Sequence, residues 1–206
     1  MAPVLLNIVI LVGSYLIGSL PVGLLIVRMA TGKDVRKIGS GRIGGTNVLR
    51  AAGPWVALLS VLGDIVKGLV PVLLARAVVG TPLTEALAAL LAVVGHNYSI
   101  FIGFKGGAGT MTTGGGALGL WPGNAICMIV MGIPMLVITR HASVGSITVA
   151  LVLPVIYAVR AWSGAAPWVY LIHGLGTMVL TLWALRPNIK RLREGTERQV
   201  TFRKST

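Results

Sequence analysis

The sequence predicts an all-α integral membrane protein of about seven short transmembrane helices, its N-terminus outside and its C-terminus cytoplasmic. Hydrophobic residues make up 55% of the 206 positions and charged ones only 11%, and the mean hydropathy is +0.87; a water-soluble domain of this length carries far more charge. The apolar residues gather into runs near the ~20 residues that a spanning helix requires, separated by Pro- and Gly-rich turns. The 18 Lys and Arg residues outnumber the 5 Asp and Glu residues, and they crowd alternate loops, the pattern that orients spans in a bilayer.

The first span is Val4–Val27, interrupted late by Gly18-Ser19-Leu20-Pro21. No Lys or Arg precedes Arg28, so the run lacks the basic n-region of a signal peptide and is expected to remain as a helix. Trp55–Val79 and Leu83–Ile102 follow, split by the turn Gly80-Thr81-Pro82. Residues 111–139 carry the strong turn Trp121-Pro122-Gly123-Asn124 in their middle, which divides them into 111–121 and 124–139. The first piece is too short to cross upright and is expected to be partly re-entrant or to cover a cavity, where irregular backbone is tolerated at membrane depth. Val144–Val159 and Pro167–Leu185 complete the set, joined through Arg160-Ala161-Trp162-Ser163-Gly164.

Charge settles the expected orientation. Arg28, Lys33, Arg36, Lys37, Arg42 and Arg50 crowd the first loop, Lys105 and Arg140 mark the next two, and the tail holds Arg186, Lys190, Arg191, Arg193, Arg198, Arg203 and Lys204; the opposite loops hold Arg76, Glu85 and Arg160. One topology puts all the basic loops in the cytoplasm. The chain is expected to be a single multi-pass domain over residues 1–206, with 186–206 a basic cytoplasmic tail. A net charge of +13 faces anionic headgroups or anionic substrates, or serves orientation alone.

The first loop, Thr31 to Arg50, contains Gly39, Gly41 and Gly44 in a formal G-x-G-x-x-G spacing. The dinucleotide fingerprint needs a buried strand before it and a βαβ unit around it, and here the flanks are membrane helices. What remains is a phosphate cradle: glycines expose backbone N–H groups, Ser40, Thr46 and Asn47 add neutral donors, and Arg36 and Arg50 supply charge. A flexible basic loop lying on headgroups is the competing reading. The second loop, Gly95 to Thr113, is not a Walker loop, but Lys105-Gly106-Gly107 with Thr112 nearby repeats the combination of close-approach backbone and one cation. His96 stands at its start, as a structural hydrogen-bonder or a catalyst.

The third loop, Arg140 to Ser146, places a cation, a histidine and two hydroxyls together, and Ser143 and Ser146 serve equally well as helix caps. The tail from Arg186 to Glu197 is expected to form a short basic helix ending near Gly195, with Asn188 and Arg191 on nearby faces. Asp64 and Lys67 lie three apart in an apolar helix; each charge left alone in the bilayer costs ~2.5–3.5 kcal/mol, so the two are expected to pair, as a site wall or a helix tie. Cys127 is the single cysteine, which excludes an intramolecular disulfide. His96, His141 and His173 lack ligand spacing and no carboxylate cluster exists, so no metal is expected.

Taken in order, Gly18-Ser19-Leu20-Pro21-Val22-Gly23, the Ser40–Arg50 loop, Asp64-Ile65-Val66-Lys67-Gly68, Gly95-His96 with Ser99-Ile100-Phe101, Phe104-Lys105-Gly106-Gly107, Arg140-His141-Ala142-Ser143 with Ser146, and Asn188-Ile189-Lys190-Arg191-Leu192 resemble the bacterial acyl-phosphate:glycerol-3-phosphate acyltransferases, the PlsY family. The resemblance implies seven membrane helices in the bacterial cytoplasmic membrane and an active site facing the cytoplasm. It also implies transfer of a fatty acyl group from acyl phosphate to the sn-1 hydroxyl of glycerol 3-phosphate, yielding lysophosphatidate and phosphate, by a monomer that needs no cofactor and binds no nucleic acid. It assigns Ser143, Asn188, Arg50 and Lys105 to catalysis and Ser40, Gly41, Thr46, Asn47, Gly106 and Gly107 to phosphate; Arg42 is expected to join the phosphate set by its charge, and His96, Asp64 and Lys67 to lend support. Members commonly carry Asn where Arg42 stands, Ala where Gly45 stands, Lys at Ala108 and His at Leu185. Arg42 is expected to restore the cation lost at Ala108 if the two loops converge, and a paralogue with an altered acceptor, or one that binds lipid phosphate without this turnover, is the alternative reading.

Overall fold

The computed structural model describes residues 2–200, and they are helical nearly throughout; Arg203 and Lys204 of the basic tail lie outside them. The helices are α1 (Ala2–Ser19), α2 (Val22–Thr31), α3 (Gly45–Ala52), α4 (Pro54–Val78), α5 (Pro82–Asn97), α6 (Thr110–Leu120), α7 (Pro122–Thr139), α8 (Ala142–Trp162), α9 (Leu171–Ala184) and α10 (Arg186–Arg193). Proline opens α4, α5 and α7 at the first helical position, where its missing N–H has no intrahelical role to lose. Among the described residues, five stretches are long and apolar enough to cross a bilayer: Val4–Thr31, Pro54–Val78, Pro82–Ile102, Pro122–Thr139 and Ala142–Trp162. The pair Trp168–Ala184 and Arg186–Arg193, bent by 61°, is a sixth if it counts as one span. The chain is a multi-pass membrane protein.

The joint between α1 and α2 shows how a break in a span is stabilised. Pro21 has no N–H to donate, and carbonyls before it would be stranded in an apolar surrounding. Lys67 donates to the Leu20 carbonyl at 2.8 Å, and the Ser99 hydroxyl donates to the Ser19 carbonyl at 2.5 Å. Lys67 is itself paired with Asp64 at 3.1 Å, both side chains almost fully buried, and Asp64 lies 3.5 Å from His96 Nδ1. The expected Asp64–Lys67 pair is therefore present, and it ties α4 to the broken first span and to α5.

The segment expected at 111–121 is α6, an 11-residue helix. It crosses only part of a bilayer, at ~1.5 Å per residue, and it is lined with buried Thr112, Thr113, Gly115, Gly116, Ala117, Gly119 and Leu120. Enclosure by α4, α5 and α7 lets a short helix and the irregular loop before it exist at that depth.

Small residues set the distances between helices. A Cβ on Gly68 would overlap the Thr112 carbonyl oxygen, and one on Gly115 would overlap that of Ile65, so α4 and α6 meet backbone to backbone. Gly18 lies against the Ala92 carbonyl and Gly95 against that of Tyr15, which brings α1 and α5 equally close. Without water to drive apolar faces together, such close packing is a main source of helix association in lipid. Large apolar side chains point outward along α1, α4 and α7, among them Leu5, Val9, Leu59, Ile126 and Ile133, as a lipid-facing surface requires.

Candidate active site

The basic segments gather at one end of the bundle. Three contacts establish this: Arg42 reaches the start of α10, Ser143 at the start of α8 reaches the tail, and the Val200 N–H donates to the Arg140 carbonyl at 2.8 Å. The opposite end holds the Arg76–Glu85 pair at 2.7 Å, the Tyr170 hydroxyl on Glu85 at 3.0 Å and Arg160 stacked over Trp121.

Asn47 organises the first loop. Its buried amide N–H groups reach the carbonyls of Val35, Ile38 and Arg42 at 2.9, 2.9 and 2.8 Å, and its Oδ1 accepts from the Ser40 N–H at 3.1 Å. Gly39 and Gly41 take φ of 54° and 71°, the left-handed conformation that glycine adopts without strain. The loop was expected to be open as far as Arg50, whereas residues 45–52 form α3. The correction has a physical cause. Gly45 to Ala52 places Val48 in the core beneath it, and one buried anchor plus tertiary packing outweighs weak local helix propensity. Ser40 and Gly41 are exposed, Thr46 is half-buried in the first turn of α3, where helical N–H groups lack intrahelical acceptors, and Arg50 is exposed on its last turn. Arg36 is held by Asp34 through two guanidinium nitrogens, and these donors hold the Asp34 carboxyl down to about 2.

The second loop folds back on α5. The Gly106 N–H donates to the Asn97 carbonyl at 3.0 Å and the Gly107 N–H to the His96 carbonyl at 3.2 Å. A Cβ on Gly106 would overlap the His96 carbonyl, and one on Gly107 the His96 imidazole. Glycine is required at both positions for close approach, and the two amides finish α5. Lys105 is exposed on this loop. Ala108 is tied to α9, its carbonyl accepting from the Thr181 hydroxyl at 3.3 Å. Thr112, grouped with this loop by sequence, is buried in α6. Asp64, Lys67 and His96 lie inside the bundle, with the His96 ring packed under Gly107.

The third loop and the tail converge on one carboxylate. Glu197 Oε1 accepts from the Ser143 hydroxyl at 3.1 Å and from Asn188 Nδ2 at 2.6 Å, and Oε2 accepts from Arg191 Nε at 2.7 Å. Ser143 therefore does not cap α8, whose cap position is His141. Burial alone would raise the Glu197 carboxyl; the donors Asn188, Arg191 and Ser143 and the Arg191 charge outweigh it and hold the group below the usual carboxylate range. On the far side of Asn188, its Oδ1 accepts from Arg42 at 2.9 Å, and Arg42 also donates to the Ala184 carbonyl. Burial, with the nearby Arg191 charge, lowers the Arg42 guanidinium from its ordinary value. Arg50 is within electrostatic reach of Glu197 and Arg198.

Asn188 and Ser143 are thus brought together on one anion, and Arg42 is joined to them through Asn188. Sequence reading passed over Glu197 and Arg191 as site residues, although Glu197 is one of only 5 acidic residues and lies in the most basic segment. Its lowered carboxyl has a consequence for stability. A carboxylate depressed in the folded state stabilises above its unfolded value, and that contribution disappears as pH falls through the folded one. Glu197→Gln is expected to cost about 1–3 kcal/mol at pH 7, and the difference in thermal midpoint from wild type should close as the pH is taken below ~4. A gap that stays constant from pH 7 to 3 would sink the clamp.

Beside the first loop, a groove of about 430 Å³ is walled by Leu20, Pro21, Leu24, Leu25, Phe101 and Ile102, with Arg28 and Arg36 also on its lining.

A family model described as glycerol-3-phosphate acyltransferase matches residues 8–195. The chain is 41% identical over 192 residues to a glycerol-3-phosphate acyltransferase of Syntrophomonas wolfei, covering 93% of this chain and 96% of that protein. It is 43% identical over 190 residues to a protein of the same name from Thermus thermophilus, covering 91% and 92%. The fold matches a crystal structure of PlsY (YgiH), an integral membrane glycerol 3-phosphate acyltransferase, in its glycerol 3-phosphate form, with a TM-score of 0.86 at 30% identity over 95% of this chain and 96% of that one. The lysophosphatidic acid form of that protein matches with a TM-score of 0.82 at 29% identity, covering 94% of each chain.

Proposed function

Since the chain belongs to the glycerol-3-phosphate acyltransferase family, we propose that it transfers a fatty acyl group from acyl phosphate to the sn-1 hydroxyl of glycerol 3-phosphate at the cytoplasmic face of the bacterial cytoplasmic membrane. The hydroxyl oxygen attacks the acyl carbonyl carbon, the bond from that carbon to the phosphate oxygen breaks, and the departing phosphate takes the hydroxyl proton. The products are lysophosphatidate and inorganic phosphate. An acyl phosphate is a mixed anhydride and already activated, so the protein need only position the reactants and neutralise charge.

The observation that carries this reading is the set of donors Ser143, Asn188 and Arg191 closing on a single carboxylate at 2.6–3.1 Å, with the Arg50 charge within electrostatic reach. Groups that hold one oxyanion at hydrogen-bond distance are suited to hold a phosphate or the oxygen of an attacked carbonyl. In this reading Ser143, Asn188 and Arg50 orient glycerol 3-phosphate and the carbonyl, and Lys105 neutralises the leaving phosphate. Ser40, Gly41 and Thr46 present donors to phosphate, while Asn47, Gly106 and Gly107 shape the two loops. His96, Asp64 and Lys67 support them from below, and the apolar groove beside Arg28 and Arg36 suits the acyl chain.

The test is the protein purified in detergent, given palmitoyl phosphate and glycerol 3-phosphate and scored for lysophosphatidate and released phosphate, with acyl-CoA and acyl carrier protein donors in parallel. Turnover with palmitoyl phosphate alone is expected. Folded protein without turnover on any donor would overturn the reading in favour of a paralogue with a different acceptor.

A further inference from the structure

We propose that Arg42 is a positioning residue that fixes the amide of Asn188, and so sets which end of that amide faces the reacting groups. This takes the place of the direct phosphate contact expected of Arg42, and its kinetic test rests on the acyl-transfer reading above.

A carboxamide presents an acceptor at one end and a donor at the other, and the two ends have nearly the same shape. Packing alone therefore sets its orientation poorly; its hydrogen-bond partners decide. Arg42 donates to Asn188 Oδ1 at 2.9 Å. A guanidinium can only donate, so the end of the amide facing it must be oxygen. The opposite end is then Nδ2, which reaches the Glu197 carboxylate at 2.6 Å beside the Ser143 hydroxyl. Had the amide turned over, an NH2 group would face a cation and an oxygen would face a carboxylate. Both contacts would be repulsive, and the site would lose a donor.

Arg42 is itself held at three points. Its backbone carbonyl accepts from Asn47, the organiser of the first loop, at 2.8 Å. One guanidinium nitrogen is on Asn188 and the other is on the Ala184 carbonyl, among the last carbonyls of α9, which lack intrahelical partners and carry the negative end of the helix dipole. The residue between that carbonyl and α10 is Leu185, buried and apolar, which offers Asn188 no polar partner. Both terminal nitrogens of Arg42 are thus engaged at the corner between α9 and α10, which fixes the plane of the guanidinium there. The same turn of α9 holds Thr181, whose hydroxyl meets Ala108, so the first and second loops both lean on the end of α9. Through Asn47, Arg42 and Asn188, the shape of the first loop is transmitted to a donor on the tail.

The experiment combines kinetics with a coupling cycle. In Arg42→Ala the turnover number is expected to fall by about 10- to 100-fold, the worth of a hydrogen bond to a charged group, with the KM for glycerol 3-phosphate and for palmitoyl phosphate little changed. Asn188→Ala should lose at least as much, and the double variant should be no slower than Asn188→Ala alone. Added guanidinium ion at tens of millimolar should recover part of the rate in Arg42→Ala and none in Asn188→Ala. Should Arg42→Ala not fold, Arg42→Gln, which keeps one NH2 donor at the corner, should retain more turnover than Asn188→Ala. A rise in KM for either phosphate substrate at full turnover, or losses that simply add in the double variant, would overturn the proposal. If wild type itself transfers no acyl group, the functional reading fails, and the cycle is read instead by thermal unfolding in detergent. The two single changes should then be less than additive, and additive midpoints would overturn the contact.

Discussion

Gly68→Val is expected to abolish folded protein, and Gly68→Ala to lower stability by about 1–3 kcal/mol, while Gly13→Ala in α1 should be neutral or slightly stabilising. The comparison isolates packing, because both alanine changes gain the same helix propensity. Gly13 has open space around it, whereas a Cβ on Gly68 would overlap the Thr112 carbonyl oxygen and press on the backbone of Gly116. No rotamer change relieves an overlap with backbone, so α6 would have to move away from α4. The second loop runs directly into α6 at Thr110, so Lys105 would be carried off with it. Thermal unfolding in detergent, with solubilised yield as a second readout, checks the pair. Equal midpoints for Gly68→Ala and Gly13→Ala would show that α4 and α6 are not in backbone contact.

Asp64→Leu is expected to destabilise by about 3–5 kcal/mol, a drop in thermal midpoint of roughly 6–20 °C, because it leaves the Lys67 ammonium buried without its counter-charge. The double change Asp64→Leu with Lys67→Met removes both charges and should recover part of the loss. It should not recover all of it, since Lys67 also donates to the Leu20 carbonyl at the break in the first span. A double variant less stable than Asp64→Leu would mean that the Leu20 contact outweighs the ion pair. His96 lies 3.5 Å from Asp64 and packs under Gly107, so Asp64→Leu is also expected to disturb the second loop.

Apolar run length and turn chemistry made much of this fold legible in the sequence. Pro21, Pro82 and Pro122 marked real breaks or helix starts, and the turn at Trp121 separated α6 from α7. Asp64 and Lys67 were legible as a pair because a helix puts positions i and i+3 on one face. The helix α3 was not legible. Gly44-Gly45-Thr46-Asn47 has poor helix propensity, and its helix depends on contacts with α2 and α4. Nor could the two kinds of glycine be told apart: Gly39 and Gly41 serve for φ, whereas Gly18, Gly68, Gly95 and Gly115 serve for contact with a partner far away in the chain. The candidate site was half legible. Arg50 stood out by residue type, and Ser143 and Asn188 only through the family resemblance, but the carboxylate that Ser143 and Asn188 hold, Glu197, and the link from Arg42 to Asn188 depend on contacts across as many as 54 and 146 residues of sequence that no local pattern encodes.

The ion pairs carry a further consequence. Asp34, Asp64, Glu85, Glu194 and Glu197 each have a cationic partner within 4 Å, and they are the full set of 5 acids. The net +13 therefore has no counterions of its own, and electroneutrality has to be completed from outside by lipid headgroups and dissolved anions. For this molecule the lipid composition and ionic strength of the medium are structural components of its basic end, where Glu197 is the anion the chain itself lays among Ser143, Asn188 and Arg191.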